Sequence, residues 1–174
     1  MLNFIKKQGI GTWISLGAIL LSIIALIIYG AALGAGDNLT IASGSEVFYD
    51  ANRTADAAMM STVVLCAVLA LVFLAVAIVL GELKFEGIAG KVCAVASNAL
   101  RIVAPALLIV AFLNFLYGSF TGLGWTFFSN AELVIFAEAI SVGQQVIAGL
   151  VFFVIAAIAA IVASFFGMVK KEEA

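Results

Sequence analysis

The sequence contains no histidine, a single proline and two cysteines, and charged residues make up 10% of it. Without histidine there is no Ser-His-Asp triad, and the usual imidazole ligands of zinc and haem are missing. Cys66 and Cys93 lie in or beside apolar runs with no Cys-x-x-Cys between them, which excludes a dithiol redox pair; both read as small apolar residues. No Gly-x-Ser-x-Gly elbow, phosphate loop or close pair of intramembrane carboxylates is present. The chain is therefore expected to be non-enzymatic, with no cofactor and no metal. Asp50, Asn52 and Thr54 begin like a calcium loop, but Ala55 and Ser61 stand where the turn glycine and closing glutamate belong.

Charge is scarce because the chain is apolar. Hydrophobic residues make up 66% of 174, with mean hydropathy +1.29, whereas a soluble domain carries about 25% charged residues. Four runs are long enough to cross a hydrocarbon core of about 30 Å as helices. They cover about residues 12–33, 57–80, 92–117 and 143–169. The spacing predicts one integral membrane domain over 1–174, an all-α antiparallel bundle of four transmembrane helices with outer loops at about 34–56 and 118–142 and an inner loop at about 81–91.

Basic residues mark the cytoplasmic side. Lys6 and Lys7 precede the first run, Lys84 and Lys91 lie between the second and third, and Lys170 and Lys171 follow the fourth. The other two connections hold Asp37, Glu46, Asp50, Asp56, Glu132 and Glu138 against Arg53. Both termini are thus expected in the cytoplasm. Met1 to Gln8 resembles the basic region of a signal peptide, but the apolar run after it exceeds the 7–15 residues of a cleaved signal, so it reads as an uncleaved anchor. Cysteine-free outer loops point to a bacterial cytoplasmic membrane, where the sequons at Asn38 and Asn52 carry no meaning.

The outer loops offer strand-like pieces around Gly44 and at Trp125 to Phe128, which together suggest a small extracytoplasmic sheet. Gly118, Gly122 and Gly124 read as helix breakers, and Ser129-x-x-Glu132 as the start of the last helix. From Asn130 to Val169 that helix would exceed any bilayer, so it must protrude or break near Gly143. Tyr49, Trp125, Phe127 and Phe128 are either an interfacial aromatic belt or an outer interaction surface.

Small residues Gly11, Ser15, Ala18, Ser22 and Ala25, followed by Tyr29, recur at steps of four and three and draw one packing stripe along the first run. Gly30-x-x-x-Gly34 closes it, and Ala156, Ala160, Ser164 with Ala159, Ala163, Gly167 repeat the pattern in the fourth. These stripes serve either packing within the bundle or a seam with an oligomer or partner. Asn114, Gln144 and Gln145 form a second polar group, expected to bond between the third and fourth runs.

Arg101 is the informative interior residue. It lies about 13 Å inside the third run if that run starts at Val92, where a charge costs at least about 2.5 kcal/mol. Asn98, Arg101 and Pro105 share a face, and Pro105 leaves the Arg101 carbonyl without an amide donor, so the three form a polar notch with an expected kink. Two readings compete. Either Arg101 snorkels to Glu82 or Glu86 at the inner loop, or it binds an anionic lipid, a solute or a partner's carboxylate.

The four-span topology resembles that of tetraspan proteins such as claudins, which implies internal termini, a long first outer loop and an outer sheet. The family's Gly-Leu-Trp and paired cysteines belong to the first outer loop. Here Gly122-Leu123-Gly124-Trp125 is in the second and neither loop has cysteine, so no family residue carries over. The functional expectation is an accessory or scaffold subunit of a membrane assembly, acting through helix faces and outer loops on a membrane-protein partner or a second copy. The alternative is a solute or ion transporter or channel working as an oligomer. No basic cytoplasmic domain exists to bind nucleic acid.

Overall fold

A computed structural model describes residues 8–34, 54–83, 86–124, 126–127 and 136–168 of the chain. Four helices follow one another: α1 (Ile10–Gly34), α2 (Thr54–Glu82), α3 (Gly87–Gly124) and α4 (Phe136–Ser164). Each is long and apolar enough to cross a membrane. The protein is a multi-span helical membrane protein built as a four-helix bundle.

Contacts at both ends establish the antiparallel order. The Tyr29 hydroxyl at the end of α1 donates to the Met60 carbonyl near the start of α2. Ser97 near the start of α3 donates to the Ala77 carbonyl near the end of α2. A Cβ on Gly143 of α4 would sit 3.0 Å from the Phe127 ring that follows α3, and Gly11 of α1 donates to the Gly167 carbonyl that follows α4. The helices thus form a ring in which α1 touches α2 and α4, and α3 touches α2 and α4.

Side-chain size, more than polarity, sorts the helix faces. The interior is built on alanine, including Ala18, Ala25, Ala67, Ala70, Ala104, Ala111, Ala156 and Ala160, with Leu74, Leu108, Phe115, Val146 and Phe153 between them. Large apolar residues such as Leu20, Ile27, Leu65, Val79, Ile102 and Ile158 point outwards. Lipid is as apolar as leucine, so nothing drives a large side chain inwards; close approach of small-residue faces brings the helices together. Gly11, Ser15, Ala18, Ser22, Ala25 and Tyr29 are all buried on one face of α1. Ser15, Ser22 and Ser119 donate back to the carbonyls of Gly11, Ala18 and Phe115 in their own helices, so these three serines make no polar path.

Phe115 and Phe153 are the largest fully buried side chains, and Phe115 joins three helices. It meets Tyr29 edge-on at 4.7 Å between centroids and Phe153 at 6.3 Å. Its ring occupies the space beside Gly149, where a Cβ would lie 2.9 Å away. Gly149→Ala should therefore lower stability by about 1 kcal/mol, read as an earlier thermal melt in detergent, while Gly17→Ala, which points into open space, should leave the melt in place.

Several sequence expectations change. α3 runs past Gly118 and Gly122 to Gly124, because Ser119 and Gly122 are packed and burial outweighs the roughly 1 kcal/mol helix cost of each glycine. It also begins at Gly87, shortening the inner connection, and it continues through Pro105 as one helix. Thr126 and Phe127 form a π-helical turn instead of a strand, held where Phe127 covers Gly143. Consequently Gly143 is a packing site within α4 and not a break; the helix ends instead at Ser164, short of Val169. Among the described residues there is no sheet, and the first-loop pieces around Gly44 and the Ser129 to Glu132 cap lie outside them.

Candidate functional site

The polar chemistry of the described residues concentrates at the end of the bundle where α1 starts, α2 ends, α3 starts and α4 ends. This is the basic end: the described residues Gln8, Leu83 and Met168 here lie within two residues, in sequence, of Lys7, Lys84 and Lys170, which the charge pattern assigns to one side.

A helix leaves its first amides and last carbonyls without partners, and lipid supplies none. The chain solves both problems with one junction. Beyond Ser164, the segment 165–168 turns across the start of α1, where Gly9 donates to the Met168 carbonyl at 2.6 Å and Gly11 to the Gly167 carbonyl at 3.1 Å. The Thr12 hydroxyl adds a bond to the Met168 carbonyl at 2.8 Å. The amide-rich start of α1 thus meets the carbonyl-rich end of α4, which also opposes their dipoles favourably. Such backbone approach requires glycine. A Cβ at Gly9 would lie 2.8 Å from the Met168 carbonyl, and one at Gly11 would lie 2.9 Å from the Gly167 oxygen.

Arg101 completes the junction. It is 6% exposed, and its Nη2 donates to the carbonyls of Ala163 and Phe166, on either side of the α4 terminus. An α-helical side chain leans towards the helix N-terminus, so Arg101 of α3 reaches towards the basic end and finds these acceptors there. Its partners are therefore not Glu82 or Glu86, as the inner-loop reading expects. Neither carboxylate bonds to it; Glu86 is exposed, and Glu82 is half-buried with Oε1 sealed and unpartnered. The short reach to α4 explains the outcome, since a helix terminus already offers acceptors where the guanidinium arrives. Arg101 Nε is buried without a partner.

Beside Arg101 lies a cavity of about 280 Å³, lined by Leu80 and Gly81 of α2, by Leu83 just after it, by Cys93, Ala94, Ser97, Asn98 and Arg101 of α3, and by Gly167 and Met168. The predicted notch is thus partly assembled: Asn98 and Arg101 line the cavity, whereas Pro105 is buried and does not. Sequence reading missed Ser97, Cys93, Thr12 and the two terminal carbonyls. Gly167, near the end of the fourth run and three residues past the last helical residue Ser164, was the available signal, since glycine marks helix ends; the small-residue stripe read it as helix packing instead.

The remaining candidates do not converge. Phe127 is exposed at the opposite end, and Tyr49, Trp125 and Phe128 lie outside the described residues. Asn114 donates to the Val110 carbonyl of its own helix at 2.9 Å, so it does not bridge to α4 as expected; Gln144 is exposed and Gln145 half-buried. Cys66 and Cys93 are free thiols, and no cluster of metal-ligating side chains occurs among the described residues. Compared with models of protein families, with curated proteins and with solved structures, the chain matches none.

Proposed function

We propose that the protein is a non-enzymatic accessory or scaffold subunit of a membrane assembly, with both termini in the cytoplasm of a bacterium and its work done by its helix faces. The observation that supports this reading is the outward Gly30-x-x-x-Gly34 face of α1. Gly11, Ser15, Ala18, Ser22, Ala25 and Ala32 of α1 are used inside the bundle, but these two glycines are exposed, and a Cβ on either would meet nothing within 4 Å. They continue the outer ridge of Trp13, Leu16, Leu20, Ile23 and Ile27, so the ridge ends in a groove shallow enough for the backbone of another helix.

A transporter reading draws no comparable support from the interior, which Ala, Leu and Phe side chains fill and whose buried serines are all spent on main-chain carbonyls. Gly30→Leu combined with Gly34→Leu should leave the thermal melt unchanged and reduce co-purification of one stoichiometric membrane partner, in mild detergent, by about tenfold, the factor carried by some 1.4 kcal/mol. Unchanged recovery of that partner would overturn the seam. Solute or ion flux through liposomes holding this chain alone would replace the accessory reading with that of an oligomeric transporter or channel.

A further inference from the structure

We propose that the cavity at the basic end binds one oxyanion of the phosphate class, with Arg101 and Asn98 as its donors. Arg101 carries a full charge that two carbonyl dipoles soften but do not neutralise, and no carboxylate bonds to it. A buried charge without a counter-ion is unfavourable, so an anion that reaches the guanidinium is bound by the energy that this isolation withholds. Nη2 is committed and Nε is sealed, which leaves Nη1 for a ligand in the cavity that Arg101 lines.

The guanidinium is also fixed before any ligand arrives. Its bonds to Ala163 and Phe166 hold it in place, so binding need not order a flexible side chain. Asn98 lies three residues before Arg101 on the same face, is exposed and lines the same cavity, so its amide is free to donate to a ligand there. Ser97 donates to Ala77 and can only accept from a ligand. Lys91 is exposed and follows the face of Ala94, Asn98 and Arg101 towards the helix start, adding positive potential near the site. Glu82 stands between two lining residues without lining the cavity itself.

A volume of about 280 Å³ admits a phosphate group with a few attached atoms, and the walls fit such a ligand: Arg101 and Asn98 on one side, Leu80, Leu83 and Met168 on the other. The phosphate can come from an anionic phospholipid of the adjoining leaflet or from a soluble phosphate, and basic pockets between helices at this depth suit headgroups.

The test is native mass spectrometry of the full chain in detergent, titrated with phosphatidylglycerol, with phosphatidylcholine and with inorganic phosphate. Wild type should bind phosphatidylglycerol about tenfold more tightly than phosphatidylcholine, the factor one charge-assisted hydrogen bond carries. Ala94→Phe, which fills the cavity, and Asn98→Leu, which removes the amide donor, should each abolish that preference. Neither variant touches the junction bonds, so their melts should match wild type; if the phenylalanine shifts the melt, Asn98→Leu decides alone. Displacement of phosphatidylglycerol by inorganic phosphate would assign the site to a free oxyanion, and resistance to it would assign the site to a lipid headgroup. The proposal fails if wild type shows no preference for the anionic lipid and binds no phosphate, or if the preference survives in the variants.

Discussion

Gly11→Val should destabilise the protein by more than about 3 kcal/mol, the upper range for overpacking, because the obstruction is backbone and not a mobile side chain. A Cβ at this position meets the carbonyl oxygens of both Phe166 and Gly167. The valine would have to push α1 away from the α4 terminus. That motion breaks the Gly11 and Gly9 amide bonds to Gly167 and Met168 and strands carbonyls at a membrane-embedded helix end. Gly17→Val, on the open side of the same helix, is the control and should cost well under 1 kcal/mol. Unfolding by SDS titration from mixed micelles measures both. Equal stability of the two variants would mean that the start of α1 does not pack on residues 166–168.

Arg101→Met should cost about 3 kcal/mol. Two opposing terms decide the sign. Removing the guanidinium loses two charge-assisted bonds worth about 1.5–3 kcal/mol each, but relieves a buried charge that costs at least about 2.5 kcal/mol. The unfolded chain in the membrane still carries that charge, so much of the relief cancels between the two states. The Ala163 carbonyl retains the Phe166 amide as a donor, whereas the Phe166 carbonyl is left without its guanidinium partner. Arg101→Lys should recover part of the loss, because a single ammonium replaces a planar fork that spans two acceptors. The same unfolding assay orders the three proteins, wild type first and methionine last. A methionine variant as stable as wild type would show that Arg101 contributes charge and no structural bond.

Four helices and their antiparallel order were legible because apolar runs of this length have one solution in lipid. The packing face of α1 was legible for a related reason: Gly11, Ser15, Ala18, Ser22 and Ala25 stand out by size among Leu and Ile. On α2 the buried Val63, Cys66, Ala67, Ala70, Leu74 and Ala77 mix large with small, so no stripe announces the face. Arg101 announced itself as an intramembrane charge, but its partners are main-chain carbonyls, which every residue has and no sequence pattern displays. Glu82 and Glu86 attracted attention because they carry charge, yet the helix end offered acceptors first. The true end of α3 and the continuity of α4 were hidden in the same way, since Gly118, Gly122 and Gly143 read as breaks until the packing around them is known. Once Phe127 and Phe115 fill the space beside Gly143 and Gly149, those glycines are features of close helix approach.

The start of α1 and the end of α4 form one junction. Thr12 and Met168 touch side chain to side chain, hydroxyl oxygen to sulfur at 3.4 Å. Replacing both with cysteine, on a chain whose Cys66 and Cys93 are changed to alanine and serine, and oxidising native membranes tests that contact directly. The structure predicts a rapid intramolecular disulfide, identified by mass spectrometry as one peptide joining positions 12 and 168 within a monomer. Failure to crosslink, or crosslinks formed only between separate chains, would contradict it.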